Sequence, residues 1–142
     1  MRKSFLAAAV LIGVLGMFQS TILGYGNSSD EKSAGKSAPN LETLLKSALD
    51  GVDGTEVIVS RVTIPPNTSL PKHWHPGEEF AYVLEGSVTL WQQGKRNIIG
   101  NEGDVIKVPL KQIHTAITGH QGVKLLIFRV HEQGQPERIM VD

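Results

Sequence analysis

His73-Trp74-His75-Pro76-Gly77-Glu78-Glu79-Phe80-Ala81-Tyr82-Val83-Leu84-Glu85-Gly86 is the stretch that decides the fold. Two histidines stand one residue apart. In an extended chain alternate side chains share a face, so His73 and His75 point to one side and Trp74 to the other. Pro76-Gly77 turns the chain, and a carboxylate follows at Glu79. A third imidazole, His114, sits on a later strand beyond Pro109. Three neutral imidazoles and one carboxylate form a nitrogen–oxygen donor set that suits one divalent transition metal: Fe, Mn, Ni, Co, Cu or Zn. An octahedral ion held by His73, His75, Glu79 and His114 keeps two positions open, which separates a working site from a closed structural one. The chain has no cysteine, so disulfides and thiolate ligation are excluded.

Outward from this stretch the texture is β-type. Short apolar runs cover Glu56–Ile64, Glu79–Leu84, Ser87–Gln92, Lys95–Ile99, Val105–Val108, Thr115–Thr118 and Val123–His131. They are split by Pro65-Pro66-Asn67, Pro76-Gly77, Gly86, Gly94, the segment 100–104, Pro109 and the segment 119–122. Many short strands with Gly and Pro punctuation predict an all-β sandwich or barrel. Val83, Val105, Ile106 and Leu126 are expected in its core, and Phe80, Tyr82, Trp91 and Phe128 are read as core packing. Leu41, Leu44, Leu45, Ala48 and Leu49 fall at helical spacing, with Asn40 to cap the start and Gly51 to end it. That predicts a short N-terminal helix, with an irregular strand as the alternative. Gly134 to Asp142 reads as a polar tail that runs over the surface or pairs with a partner.

The spacing of these residues resembles the cupin superfamily. Its first motif is a Gly, five residues, His-x-His, three or four residues, Glu, six residues, Gly. The chain follows it through His73, His75, Glu79 and Gly86, with Asn67 in place of the leading Gly. Asn also tolerates positive φ. The second motif matches at Gly103, Pro109 and His114, with Lys111 where Gly is usual and Thr118 where Asn is usual. Glu78 fits neither count of the first motif and is read as a rim residue. The stretch HWHPGEEFAYVLEG is most similar to small single-domain cupins of the quercetin-dioxygenase-like group.

The resemblance implies a jelly-roll barrel (a double-stranded β-helix), pairing as a homodimer, and a small-molecule ligand or substrate. It implies a metal-dependent oxidoreductase of dioxygenase type, with Glu79 able to loosen from the metal and act as base. A cupin isomerase or lyase, and a non-catalytic metal- or ligand-binding cupin, are the alternatives. Two-domain cupin activities are excluded by the single set of motifs. Arg129, on the apolar strand VKLLIFRVH, is a candidate to hold an anionic substrate; the competing reading is an edge or ion-pair arginine. His120 and His131 are read as surface residues.

The chain has 142 residues, 40% of them apolar, enough for one core. Lys and Arg number 14 against 14 Asp and Glu, so the basic surplus that nucleic-acid binding needs is missing. Arg2 and Lys3 precede an apolar run from Phe5 to Phe18, the shape of a secretory signal peptide. The expected organisation is a leader over 1–26, a flexible Ser/Gly/Lys linker over 27–39 and a barrel over 40–142. The protein is then periplasmic or secreted with no stable span after cleavage; an uncleaved N-terminal membrane anchor is the alternative.

Overall fold

The structure is a computed structural model that describes residues 37–141. The expected leader and most of the linker lie outside the described residues. Nine strands follow one another: β1 (Asn40–Ala48), β2 (Thr55–Ile64), β3 (His73–Trp74), β4 (Gly77–Gln92), β5 (Ile98–Asn101), β6 (Val105–Val108), β7 (His114–Ile117), β8 (Val123–Glu132) and β9 (Ile139–Met140). No helix occurs among the described residues. All pairings are antiparallel, in the order β1-β2-β8-β4-β7-β3-β9, with β5 and β6 also paired to β4. The two expected strands on either side of Gly86 are one continuous 16-residue strand, β4. It passes from one half of the barrel to the other through a register shift between Val83 and Glu85. Gly86 sits just beyond that shift at φ 79°, where an added Cβ would lie 2.3 Å from the Gly122 carbonyl oxygen.

Strict alternation determines what faces inward. Along β8, Val123, Leu125, Ile127, Arg129 and His131 are buried, while Lys124, Phe128 and Glu132 are exposed. Across the sheet these meet Ile64, Val62, Ser60, Ile58 and Glu56 of β2. On the other side Leu125, Ile127, Arg129 and His131 meet Val83, Ala81, Glu79 and Gly77 of β4. The interior is therefore a ladder of cross-strand rows. It is aliphatic over most of its length and turns polar at the Glu79–Arg129 and Glu56–His131 rungs.

Parity also corrects several expectations. Val83 and Ile106 are core residues, but Val105 is 67% exposed and Leu126 lies on the outer, half-buried face. Tyr82 and Phe128, expected inside, are about two-fifths exposed on that same outer face, and Phe80 is half-buried beneath Lys107. A β-rich chain of this length has two faces to cover, and an aromatic residue alone does not say which one it serves.

The predicted helix is strand β1. Its leucines have helical spacing, yet β2 without β1 would leave a row of unpaired backbone groups along its edge. Pairing with β2 from Asn40 to Ala48 satisfies that edge, and the bulge between Thr43 and Leu45 absorbs the odd residue. Leu41 then sits opposite Val62 and Leu45 opposite Val59, on different sides of the sheet. The whole strand remains exposed. At the other end of the strand order, the expected polar tail folds back as β9. Met140 pairs with His73, and Ile139 with Trp74. Asn67 and Lys111, which stand at the two motif positions usually held by Gly, adopt φ of 50° and 55°.

Candidate metal centre

Three local devices bring the histidines together. His73 lies on β3 directly opposite His114 on β7, so both face inward at the same level. His75 follows two residues after His73 and repeats its orientation, while the half-buried Trp74 between them faces away. The ring centroids stand 4.9 Å apart for His73–His75, 4.5 Å for His73–His114 and 5.1 Å for His75–His114. One ligand nitrogen from each ring lies within 4.8 Å of the others, and all three side chains are buried.

The backbone sets the tautomers. His73 Nδ1 lies 2.8 Å from the Pro71 carbonyl oxygen, His114 Nδ1 lies 2.8 Å from that of Gln112, and His75 Nδ1 lies 2.5 Å from that of Glu137. A carbonyl only accepts, so each Nδ1 carries the hydrogen and donates it, and the lone pair is left on Nε2. This is the arrangement by which histidine ligands are oriented and made more basic toward a cation. Burial holds His73 down at about 4, against a usual value of 6.5, and it lowers His114 as well, so both rings stay neutral and ready to ligate.

Glu79 comes from β4 and faces Arg129 of β8 directly across the sheet. Arg129 Nε donates to Glu79 Oε2 at 2.7 Å, and its Nη1 donates to Glu137 Oε2 at 3.2 Å. Burial alone would push the Glu79 carboxyl up. The His75 ring beside it and the Arg129 guanidinium outweigh burial and hold it far below the usual carboxylate range. Arg129 is thus the ion-pair arginine of the two readings, buried and satisfied by two carboxylates.

One contact tests whether a metal fits. His75 Nε2 is buried with no hydrogen-bond partner, yet it lies 3.1 Å from Glu79 Oε2. With Nδ1 committed to Glu137, two lone pairs would face each other in a dry site, which is costly unless positive charge lies between them. A proton or a metal ion supplies that charge. The donor set, three imidazoles with a carboxylate beside them, fits a divalent ion.

The structure adds residues that the sequence reading passed over. Glu137 holds the site twice, through its carbonyl on His75 and its carboxylate on Arg129. His131, expected at the surface, is 1% exposed. It lies between Glu56 Oε1 at 3.4 Å and the Pro136 carbonyl at 3.2 Å, with Lys46 Nζ 3.1 Å from the same Glu56 oxygen. This rung holds the start of the returning C-terminal segment. Glu78 pairs with Lys107 at 2.7 Å and stays on the outer face, as a rim residue would. His120 is exposed.

His73 and His114 border a cavity of about 120 Å³. Its walls are aliphatic side chains such as Val62, Ala81, Leu90, Ile106 and Ile127, with Glu79 and Arg129 at the polar end. Pro39 to Leu41 before and at the start of β1 and Arg138 just before β9 also line it, so both edges of the curled sheet border the same space.

Comparison with known proteins agrees with this architecture. Among curated proteins none matches. A solved structure of the DMSP lyase DddQ from Ruegeria pomeroyi aligns with a TM-score of 0.62 at 18% identity, over 73% of this chain; the chain spans 52% of that protein's length. An RmlC-like cupin family protein from Methanocaldococcus jannaschii, described as having a double-stranded β-helix fold, aligns at 0.57 and 16% identity over 71% of this chain and 86% of its own. The polyketide cyclase RemF from Streptomyces resistomycificus aligns at 0.51 and 21% identity over 72% and 82%. Residues 60–128 match the family model of the Cupin domain. By that match and the shared fold, this chain is a small protein of the cupin superfamily.

Proposed function

We propose that this cupin is an exported, metal-dependent enzyme acting on a small organic substrate, with dioxygenase-type oxidation as its reaction. The observation that carries the reading is the convergence of three backbone-oriented imidazoles beside an ionised carboxylate, with His73 and His114 bordering an apolar cavity. His73, His75 and His114 would hold one divalent ion, and Glu79 would offset part of its charge. When bound, such an ion supplies Lewis acidity and, if redox-active, one-electron chemistry. The chain's own residues do the rest. The Nδ1–H bonds keep the rings aimed inward, Arg129 holds Glu79 in one orientation, and the aliphatic walls exclude water. The electrostatics argue against Glu79 as proton acceptor while Arg129 grips it, because a carboxylate held that low is a weak base. Its role in this reading is charge compensation.

A lyase or isomerase is the second reading. It is favoured by the same site's ability to polarise a carbonyl without redox change, and two structural neighbours are titled as a lyase and a cyclase. Elemental analysis of the purified protein, followed by oxygen-electrode assays with small enols and β-dicarbonyls, separates the two. A stoichiometric metal with oxygen uptake supports oxidation, substrate turnover without uptake supports the second reading, and protein with no metal overturns both. Export rests on the N-terminal sequence, and cell fractionation tests it. The homodimer is supported by the exposed apolar outer face around Tyr82, Val105 and Phe128, and analytical ultracentrifugation tests it.

A further inference from the structure

The cavity carries a second specificity element, on the returning C-terminal segment. Of the two arginines that line it, Arg129 is neutralised by Glu79 and Glu137. Arg138 is exposed and has no ion pair or hydrogen bond to any side chain among the described residues. It directly precedes β9, whose Met140 lies opposite His73, and it lines the cavity. A cation at the opening of a space with aliphatic walls selects a molecule with an anionic head and an apolar tail.

The size of the tail follows from the volume. A dry cavity of roughly 150 Å³ accepts a benzene-sized guest, so the 120 Å³ here takes a tail of about four to six carbons. A guanidinium recognises a carboxylate in a two-pronged geometry that an ammonium cannot match. We propose that the cavity binds short, apolar carboxylates, with Arg138 at the opening gripping the carboxylate and the aliphatic walls enclosing the tail. This deepens the metal-enzyme reading by naming its substrate class, and it assigns to Arg138 the anion contact that the sequence suggested for Arg129.

The test is calorimetric titration of the full-length protein with pentanoate, pentan-1-ol, pentylammonium and acetate. Metal content is measured on the same samples. The proposal expects pentanoate to bind at least tenfold more tightly than pentan-1-ol or acetate, and pentylammonium not to bind. Arg138→Gln should weaken pentanoate at least tenfold with metal content unchanged, and Arg138→Lys should restore part of the loss. Equal pentanoate affinity in the wild type and R138Q, or no preference for pentanoate over the alcohol, overturns the proposal. The two readings fail separately. A metal-free protein that still takes up pentanoate through Arg138 refutes the metal centre and leaves the carboxylate site standing. A metal-loaded protein indifferent to R138Q refutes the carboxylate site alone.

Discussion

Replacing Arg129 by Met removes one of the most enclosed charges of the barrel while keeping much of its volume. Glu79 then loses its 2.7 Å partner in a setting where both side chains are less than a tenth exposed. Stripping one member from a buried pair leaves an uncompensated charge and costs about 3–5 kcal/mol. Glu137, about a third exposed, is solvated and adds little when its 3.2 Å contact is lost. Against a typical domain stability of about 5–15 kcal/mol, R129M is a severe change. Two further measurements make the cause specific. Glu79→Gln in the R129M background removes the stranded charge and should recover about 2 kcal/mol or more, a coupling that a mere packing defect would not show. A divalent ion beside Glu79 should also substitute for the lost guanidinium, so R129M is expected to cost less in metal-loaded than in chelator-treated protein. Urea denaturation of the wild type, R129M and the double variant, metal-loaded and chelator-treated, reads these numbers directly. A loss below about 1 kcal/mol in metal-free R129M, or an E79Q/R129M double variant no more stable than R129M, would refute the account of Glu79 as a carboxylate held ionised by Arg129.

His75→Ala and His114→Ala should each drop metal content to a small fraction of the wild type, and should lower Tm in loaded protein more than in chelated protein, since metal binding adds to folding free energy; elemental analysis showing full stoichiometry in both variants would contradict the ligand set. The metal-free protein should lose stability as pH falls from about 6.5 toward 4. In that window the unfolded chain takes up protons that His73, held at about 4, and His114, also lowered, refuse in the fold, and below about 4.5 the unfolded chain protonates at Glu79 while the fold keeps that carboxylate charged, which extends the decline. Urea midpoints that stay flat between pH 7.5 and 4.5 would count against this. Gly86→Ala should destabilise by about 2–4 kcal/mol, because it adds a methyl 2.3 Å from the Gly122 carbonyl at φ 79°. Thermal melts of G86A beside Gly94→Ala, which meets nothing within 4 Å at a similar φ of 74°, separate the clash from backbone strain.

The fold was legible where residue type and spacing both carry information. His73 and His75, one residue apart, imply an extended chain with both rings on one face, and the two rings do come together, from β3 and the residue just after it. The positive φ of Asn67 was legible from the motif, because it stands where a residue free to adopt that conformation is required; Lys111, at the other such position, adopts it too. Failure came where a local pattern competed with a distant need. The leucines of 41–49 fit a helix, and nothing within those residues reveals that β2 requires a strand beside it. Tyr82 and Phe128 misled for a related reason. Alternation can be read along a strand, but its phase is set by the partners, and only Arg129 and His131 facing inward show that Phe128 faces out.

The same asymmetry runs through the site. His73, His75 and His114 announce themselves by side-chain chemistry. What orients them is the carbonyl oxygens of Pro71, Gln112 and Glu137, and a carbonyl belongs to every residue alike. The contribution of Glu137 is therefore invisible in a sequence, since any residue there offers the same oxygen to His75. Only its carboxylate, 3.2 Å from Arg129, depends on being Glu. A change of Glu137 to Gln thus keeps the acceptor for His75 and removes one of the two charges holding Arg129. A truncation before Glu137 removes both, along with the strand that pairs with β3. The C-terminal segment, which looks like a polar tail by composition, closes the site through its backbone, and its side chains tune what the backbone has already positioned.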